Sequence, residues 1–363
     1  MSIPLRSALA ELADYDARDL TDKGIVIRLH RNESALPPPA FVVDALRAID
    51  AETLQTYPTE LQSDVRERIA RRFARDAGAV AIANGADELL AACARAVLEP
   101  GEGAITVTPA FGMYARTVAL AGGVLRRLPY TVRWRFDAAA LIAAADERTR
   151  LVILGNPNNP TGDALRARDL EMIARALPNA LIVVDEVYLA LSERSLARSA
   201  AARIDNVAVI GSFSKCAALA GARVGYLLAT PEFARAIHRS LGPYPVSAPS
   251  LLAAQAYLRD PARSRAFETQ LDAQNARSLD AFEAAIRPFA REVWRGPANF
   301  LLADCGSRAE ALYNGLADAG IAVRTFGDPM LAGMLRLCAT DDANTAKVAA
   351  ALRVLASRET IYA

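Results

Sequence analysis

The chain has 363 residues, of which 53% are hydrophobic, and this suffices to bury one large core and a second, smaller one. Its 42 basic and 41 acidic residues leave a formal charge of +1, so no net field draws it to nucleic acid or to an anionic membrane. Composition therefore excludes a disordered or fibrous protein and favours a small-molecule ligand.

Cysteine and histidine usage argues against extracellular and metal-dependent classes. The four cysteines lie far apart, which indicates neither a disulfide framework nor a zinc site, so we expect a reducing cytoplasm. The two histidines, His30 and His238, occupy unrelated contexts, so we expect no metal site and no Ser-His-Asp hydrolase. Residues 1–22 lack the apolar stretch of a signal peptide, and no later segment has the length and apolarity of a membrane span.

The predicted elements begin with an arm over residues 1–35, which a run of three prolines ends. From about Leu61 to Val246, apolar runs alternate with amphipathic stretches, which predicts strands joined by helical crossovers. The candidate strands are Ala104–Thr108, Leu151–Gly155, Leu181–Asp185, Val207–Ser212 and Val224–Ala229. Several of these strands are apolar on both faces, so the fold class is α/β, with a mostly parallel sheet flanked by helices.

A second, smaller α/β unit is predicted after the proline-rich break at Gly242–Pro245. It begins with one long helix over Ser250–Arg287. The remaining candidates are strands Phe300–Asp304 and Leu335–Cys338, and helices Arg308–Ala319 and Ala343–Ala356. The predicted organisation is an N-terminal arm (1–35) that packs with the small domain, a large domain (36–248) and a small C-terminal domain (249–363).

Three polar segments directly follow strand-like runs: Asn156–Gly162, Asp185–Tyr188 and Ser212–Lys215. Each segment alone has an ordinary explanation, as a turn, a helix-capping aspartate or a solvated lysine. Ligands of parallel sheets bind at the carboxyl ends of the strands, so the three segments together indicate a binding site.

In these segments the chain resembles the fold type I pyridoxal 5'-phosphate (PLP) enzymes, the aspartate aminotransferase superfamily, over about residues 31–336. Further matches are Arg31–Glu33, Tyr57–Pro58, Asn84–Glu88, Phe111–Tyr114, Ala220–Gly225 and Leu335–Leu337. Within that superfamily the chain is most similar to the histidinol-phosphate aminotransferases. The resemblance implies a large PLP-binding domain, a smaller C-terminal domain and a cytoplasmic homodimer.

The resemblance also implies which residues perform the chemistry. Lys215 would form the imine with PLP and, once an amino acid has displaced it, move a proton between Cα and C4' of the cofactor. Asp185 would keep the ring nitrogen protonated, with a helix cap as the alternative reading. Tyr188 and Asn159 would hydrogen-bond the cofactor's O3', although Asn159 also fits a plain turn.

Other residues are expected to hold the cofactor. The phosphate would bind the amides of Ala86 and Asp87, where a helix begins, together with Ser212, Ser214 and Arg223. Phe111 would lie against the pyridine ring, or else be an ordinary core phenylalanine. Tyr57 would reach the PLP phosphate of a second subunit, although Tyr-Pro is also a turn signal.

Arg336 lies inside an apolar strand, where an unpaired charge is costly, so a carboxylate partner is expected. The resemblance makes this partner the substrate's α-carboxylate, with an internal salt bridge as the alternative. Asn32 is a further candidate on the carboxylate side. Tyr15 and Arg324 resemble residues that line the pocket for the substrate phosphate, and both also fit ordinary surface positions.

The expected reaction is the transfer of an amino group from L-histidinol phosphate to 2-oxoglutarate. Two alternatives share the cofactor: an aromatic or broad-range aminotransferase, and a decarboxylase or lyase that handles a phosphorylated amino acid. A non-catalytic PLP-binding domain of a transcription regulator would need a DNA-binding segment, for which the short arm has neither room nor basic charge. The arm also departs from the common Leu-Asn-Ala-Asn-Glu-Asn-Pro pattern, which bears on the substrate rather than on the cofactor.

Overall fold

The computed structural model describes residues 24–131 and 134–362, together with Ile3, Leu9 and Leu12. The strands are β1 (Ile27–Arg28), β2 (Val80–Asn84), β3 (Gly103–Thr108), β4 (Val124–Pro129), β5 (Thr149–Gly155), β6 (Leu181–Asp185), β7 (Val207–Ser212), β8 (Val224–Leu228), β9 (Glu292–Arg295), β10 (Phe300–Asp304), β11 (Ile321–Ala322) and β12 (Met334–Cys338). The α-helices are α1 (Ala40–Arg47), α2 (Ala51–Gln55), α3 (Thr59–Arg72), α4 (Ala86–Val97), α5 (Met113–Ala121), α6 (Ala138–Ala144), α7 (Ala167–Ala176), α8 (Phe213–Cys216), α9 (Pro231–Ser240), α10 (Ala248–Arg259), α11 (Pro261–Ile286), α12 (Ala309–Asp318) and α13 (Asp342–Tyr362).

A seven-stranded sheet, in the order β2-β8-β7-β6-β5-β3-β4, contains most of these strands. Strands β3 to β7 are parallel to one another, whereas β8 runs antiparallel to both β2 and β7. The predicted α/β fold with a mostly parallel sheet is therefore confirmed. Because β8 runs antiparallel to its neighbours, it begins at the edge where they end. Residues that follow the parallel strands therefore lie close to residues at the start of β8.

The central strands are apolar on both faces because helices cover the sheet on both sides. On β5, Leu151 and Ile153 belong to one buried cluster, and Val152 and Leu154 belong to the other. Successive side chains of a strand point to opposite faces, so an unbroken apolar run supplies both cores. Each such side chain contributes about 1.5–3 kcal/mol when it is fully buried.

A separate three-stranded antiparallel sheet has the order β12-β10-β9. Strand β1, near the start of the described chain, pairs in parallel with β11. The amide of Cys338, at the end of β12, also donates to the carbonyl oxygen of Leu29. Residues 27–29 are thereby attached to elements of the C-terminal third, and this brings the residues that follow to the carboxyl edge of the large sheet.

The prediction of one long helix over Ser250–Arg287 is wrong, because α10 ends at Arg259 and α11 begins at Pro261. The Asp260 carboxylate between them accepts hydrogen bonds from the amides of Ala262 and Arg263. An aspartate cap followed by a proline, which has no amide hydrogen, starts a new helix rather than continuing the old one.

Some strands were not predicted. Among the described strands, edge strand β4 pairs with β3 alone, and it contains two arginines, so it lacks the apolar run that identifies an interior strand. Strands β1, β2, β9 and β11 were also missed. The predicted strands agree with the observed ones to within two residues at each end, and the last helix continues to Tyr362.

Candidate active site

Most of the predicted site residues meet in a cavity of about 680 Å³ at the edge where β3, β5, β6 and β7 end. Those in its wall are Asn32, Ala86, Asp87, Phe111, Asn159, Asp185, Tyr188, Ser212, Ser214, Lys215, Arg223, Arg324 and Arg336. The carboxyl edge of a parallel sheet is where such a site is expected, since loops from several strands converge there.

Lys215 lies on the short helix α8, directly after β7. The Ser212 side chain caps this helix by accepting a hydrogen bond from the amide of Ser214 at 3.1 Å. The Lys215 amine donates to the carbonyl oxygen of Arg31 at 3.0 Å. Burial lowers the pKa of Lys215 to about 8, because removal from water disfavours the charged ammonium. The amine can therefore lose its proton near neutral pH.

Asp185 ends the buried strand β6 and is 4% exposed. Its Oδ2 accepts a hydrogen bond of 2.9 Å from the Tyr114 hydroxyl, and its Oδ1 accepts one of 3.3 Å from the amide of Val187. Burial raises the pKa of Asp185 to about 6, and these two donors oppose the rise. The carboxylate is thus held by neutral donors, which leaves its charge available to a cationic ligand.

Tyr188 lies three residues beyond Asp185 and contacts Asn32. The Asn32 side-chain nitrogen donates to the Tyr188 hydroxyl at 2.9 Å. The Tyr188 ring packs edge-on against Phe300, with ring centroids 5.2 Å apart. Burial raises the pKa of Tyr188 to about 12, so the phenol keeps its proton at neutral pH. Because the oxygen already accepts from Asn32, its own proton is free to bind another acceptor.

Arg336, on β12, is 6% exposed. Its Nη1 donates to Asn159 Oδ1 at 2.5 Å, and its Nη2 donates to the carbonyl oxygen of His30 at 2.6 Å. The acceptors in these two contacts are neutral oxygens, and the expected pairing of Arg336 with a carboxylate stays a prediction. The Arg324 backbone pairs with that of Arg336, so both arginines reach the cavity from one place.

Helix α4 begins at the cavity wall, directly after Gly85. The first amides of a helix have no acceptor within the helix, so they can bind an anion. The Arg223 guanidinium lies over this terminus and donates to the Asp87 carboxylate at 3.3 Å. A Cβ atom at Gly85, whose φ is +85°, would lie 2.4 Å from Arg223 Nη2. The positive φ favours glycine here, and a larger residue would also push the Arg223 guanidinium aside.

One predicted residue is absent from the cavity wall, and another lies outside the described residues. Tyr57 is not in the cavity wall; it is 74% exposed and stacks on Tyr244 with ring centroids 4.6 Å apart. Tyr15 lies outside the described residues. The position of Tyr57 does not contradict its expected role, since that role is on a second subunit.

The cavity wall also contains residues to which the sequence had assigned no role, namely Tyr114, His30, Arg31 and Phe326. Tyr114 packs edge-on against Phe111, with centroids 5.8 Å apart and the rings at 89°. The sequence signal for Tyr114 is the segment Phe111–Tyr114, which matches the superfamily but assigns no role to this tyrosine. Arg31 and His30 act through backbone oxygens, for which the sequence carries no signal.

The mostly parallel sheet, with a lysine after β7 and a carboxylate at the end of β6, defines the fold type I class of PLP enzymes. The chain belongs to the family described as aminotransferase class I and II, which it matches over residues 24–352. This membership confirms the predicted enzyme class.

Relatives match the chain almost end to end. It is 33% identical over 362 residues to a histidinol-phosphate aminotransferase of Rhodospirillum centenum, covering 97% of this chain and 98% of that protein. The histidinol-phosphate aminotransferase of Sinorhizobium meliloti, solved with PLP, is 29% identical, with a TM-score of 0.88 and 98% of both chains covered. Aspartate aminotransferase of Thermus thermophilus has the same fold, with a TM-score of 0.83 at 23% identity over 98% of this chain and 100% of that one.

PLP is the cofactor of this family, and the residues present fit it. Its phosphate requires several donors in one place, and the wall offers the start of α4, the hydroxyls of Ser212 and Ser214, and a guanidinium. A Cβ atom at Gly225 would lie 2.4 Å from the backbone carbon of Gly85, so only glycine lets β8 approach this terminus. The backbone at Gly85 and Gly225 therefore helps to form this phosphate-binding site.

Among the described residues, none of the helices combines the length and apolarity that crossing a membrane requires. Within the same residues, no three His, Cys, Asp or Glu side chains are grouped so that they could hold a metal ion.

Proposed function

We propose that this aminotransferase moves the amino group of L-histidinol phosphate to 2-oxoglutarate, with glutamate and imidazole acetol phosphate as products. One observation carries the proposal: the Lys215 amine and two arginines, Arg324 and Arg336, line the same cavity. An amine that can lose its proton suits amino-group transfer, and paired guanidinium groups suit a phosphate or carboxylate.

Bound PLP would supply a ring that accepts electrons and so stabilises negative charge at the substrate's Cα. Lys215 would attach the cofactor covalently and later, as a free amine, take the proton from Cα and deliver it to C4'. Asp185 would hold the proton on the ring nitrogen by charge pairing. The Tyr188 hydroxyl, with Asn159, would bind the cofactor's O3'.

The cofactor would be fixed at its two ends. The amides of Ala86 and Asp87, with Ser212, Ser214 and Arg223, would bind the phosphate. Phe111, in the cavity wall, would lie against the pyridine ring. These contacts would set the plane of the ring, and the orientation of the substrate over that plane decides which bond to Cα breaks.

The substrate anions would bind the arginines in turn. In histidinol phosphate the phosphate ester is on the carbon that corresponds to the carboxyl carbon of histidine. Arg336 can therefore serve the phosphate of one substrate and a carboxylate of the other, with Arg324 adding charge for the dianion. Asn32 and Tyr15 remain candidates for this end of the pocket.

A second candidate function is an aromatic or broad-range aminotransferase. The aromatic side chains of Phe111, Tyr114 and Phe326 in the cavity wall favour it, because they offer apolar surface to a substrate ring. Such an enzyme would need only one guanidinium at the α-carboxylate, so Arg324 would not affect its activity.

The test is a comparison of kcat/KM for histidinol phosphate, phenylalanine, tyrosine and histidine, each with 2-oxoglutarate. We expect kcat/KM for histidinol phosphate to exceed the other values at least about 100-fold. A substrate without the phosphate leaves arginine side chains of the pocket unpaired, and this costs binding energy. Arg324→Gln should lower the rate with histidinol phosphate more than the rate with phenylalanine. Equal kcat/KM values would favour the broad-range enzyme, and carbon dioxide release without glutamate formation would favour a decarboxylase.

We further propose an assembly and a location. An arm over residues 1–35, a large domain over 36–248 and a small domain over 249–363 would form each subunit. The exposed Tyr57 ring supports a homodimer in which this residue reaches the neighbouring site. The four free cysteines support a location in the reducing cytoplasm.

A further inference from the structure

Among the described residues, two hydrogen bonds of unequal length hold the Asp185 carboxylate. The Tyr114 hydroxyl donates to Oδ2 at 2.9 Å, whereas the amide of Val187 donates to Oδ1 at the longer distance of 3.3 Å. Charge-assisted hydrogen bonds from a hydroxyl to a carboxylate are short and strong. The phenol of Tyr114 is therefore the principal protein group that orients this carboxylate among its described contacts.

The Tyr114 side chain is buried and closely packed. It lies in the first turn of α5, is 2% exposed and packs edge-on against Phe111. A Cβ atom at Gly155 would lie 3.0 Å from the Tyr114 hydroxyl oxygen and 3.2 Å from the Cα atom of Asn158. Glycine at the end of β5 thus leaves room for the hydroxyl beside Asp185.

The direction of the hydrogen bond follows from the two acidities. Burial, with the charge of Asp185 next in size, raises the pKa of Tyr114 well above its ordinary value, so the phenol keeps its proton and donates it. Burial raises the pKa of Asp185 to about 6, and the charges of Asp87 and Glu186 act in the same sense. Tyr188, a further titratable group that interacts with Asp185, stays neutral at this pH. The Tyr114 hydrogen bond is the largest influence in the opposite sense.

We propose that Tyr114 is a positioning residue that fixes the Asp185 carboxylate in one orientation and keeps it ionised at neutral pH. The inference deepens the proposed function, because it rests on Asp185 being the partner of the cofactor's ring nitrogen. Without the phenol, a buried carboxylate beside two other acids would take up a proton and could no longer stabilise the protonated ring nitrogen.

The experiment compares Tyr114→Phe with Tyr226→Phe. Tyr226, on β8, is 1% exposed, and its hydroxyl accepts a hydrogen bond from the amide of Leu191, so the control also removes one buried hydroxyl. The first readout is the infrared band of protonated carboxyl groups in the cofactor-free protein, titrated from pH 4 to 9, with Tyr114→Phe/Asp185→Asn identifying the band of Asp185. The second readout is the dissociation constant of PLP over the same pH range.

In the wild type, the Asp185 band should disappear as the pH rises through about 6. In Tyr114→Phe the midpoint should move to higher pH by at least about one unit, because a hydrogen bond to a charged group is lost. The pH below which PLP affinity falls should move by the same amount, while Tyr226→Phe should keep both wild-type midpoints. Thermal unfolding of each variant checks that it is folded.

An unchanged midpoint in Tyr114→Phe, or an equal shift in Tyr226→Phe, would overturn the proposal. The infrared titration needs no cofactor, so it separates two failures. If the wild type did not bind PLP, the proposed function would fail, but the band would still report whether Tyr114 controls the ionisation of Asp185.

Discussion

The guanidinium of Arg336 lies 2.5 Å from the side-chain oxygen of Asn159, and this hydrogen bond joins the three-stranded sheet to the loop after β5. The same arginine donates to the carbonyl oxygen of His30 at 2.6 Å. These two bonds hold the guanidinium in a defined plane, so an incoming anion meets an oriented donor and loses less entropy on binding.

Arg336→Lys should raise KM for both the amino donor and the 2-oxo acid about 10- to 100-fold, since hydrogen bonds to charged groups contribute about 1.5–3 kcal/mol. Lysine keeps the charge but cannot hold Asn159, His30 and a substrate oxygen with one planar group. Steady-state kinetics measures the effect, with Arg287→Lys at the end of α11, in an exposed pair with Glu283, as the control. Wild-type KM values in Arg336→Lys would remove this residue from the substrate site.

Gly225→Ala should weaken PLP binding at least about 10-fold without unfolding the protein. The new Cβ atom would meet the backbone of Gly85 and Ala86 at 2.4–2.7 Å, so the start of α4 must move away from the phosphate. Gly221→Ala is the matched control, because a Cβ atom there meets nothing within 4 Å. Equilibrium dialysis gives the dissociation constants. Equal losses of PLP affinity in the two variants would contradict a phosphate-binding site at the start of α4.

The rate of covalent PLP attachment should depend on pH through Lys215. Only the neutral amine is nucleophilic, and burial lowers its pKa from 10.5 to about 8. The rate should therefore rise about tenfold per pH unit below 8 and level off above it. Stopped-flow absorbance of the cofactor-free protein mixed with PLP measures this. A rate that kept rising to pH 10 would mean that the amine is solvated.

Mixed dimers test whether Tyr57 acts on the neighbouring subunit. Tyr57→Ala and Lys215→Ala should each be impaired when alone. Refolding the two together should restore activity, because half of the sites in a mixed dimer then combine Lys215 of one subunit with Tyr57 of the other. No recovery, although mass spectrometry detects mixed dimers, would place Tyr57 outside the neighbouring site.

The sequence predicts interior strands of this fold better than edges and helix breaks. Strand β6 is buried on both faces, and its apolar run identifies it directly. Among the described strands, edge strand β4 pairs with β3 alone, and its sequence Val-Leu-Arg-Arg-Leu-Pro neither forms an apolar run nor alternates polar with apolar residues, so neither strand pattern identifies it. Asp260 and Pro261 indicate the start of a new helix, α11, but the helical pattern on both sides of them favours one continuous helix.

The site was predictable where side chains carry the chemistry. Lys215, Asp185 and Arg223 follow or precede strands and share a sheet edge, which spacing along the chain indicates. The bond from Lys215 to the Arg31 carbonyl oxygen was not predictable, because every residue has such an oxygen. The bond from Tyr114 to Asp185 was not predictable either, because it joins the start of α5 to the end of β6, 71 residues further along the chain.

The proposed chemistry depends on a covalent bond between PLP and Lys215, and the most direct test is borohydride reduction of the PLP-loaded protein followed by peptide mass spectrometry. The chain's other lysines, Lys23 and Lys347, serve as internal controls, and Lys347 is exposed on α13. We predict that the pyridoxyl mass appears on the peptide containing Lys215 and disappears in Lys215→Ala but not in Lys347→Ala. A label on Lys23 or Lys347 alone, or retention of full activity by Lys215→Ala, would contradict the account.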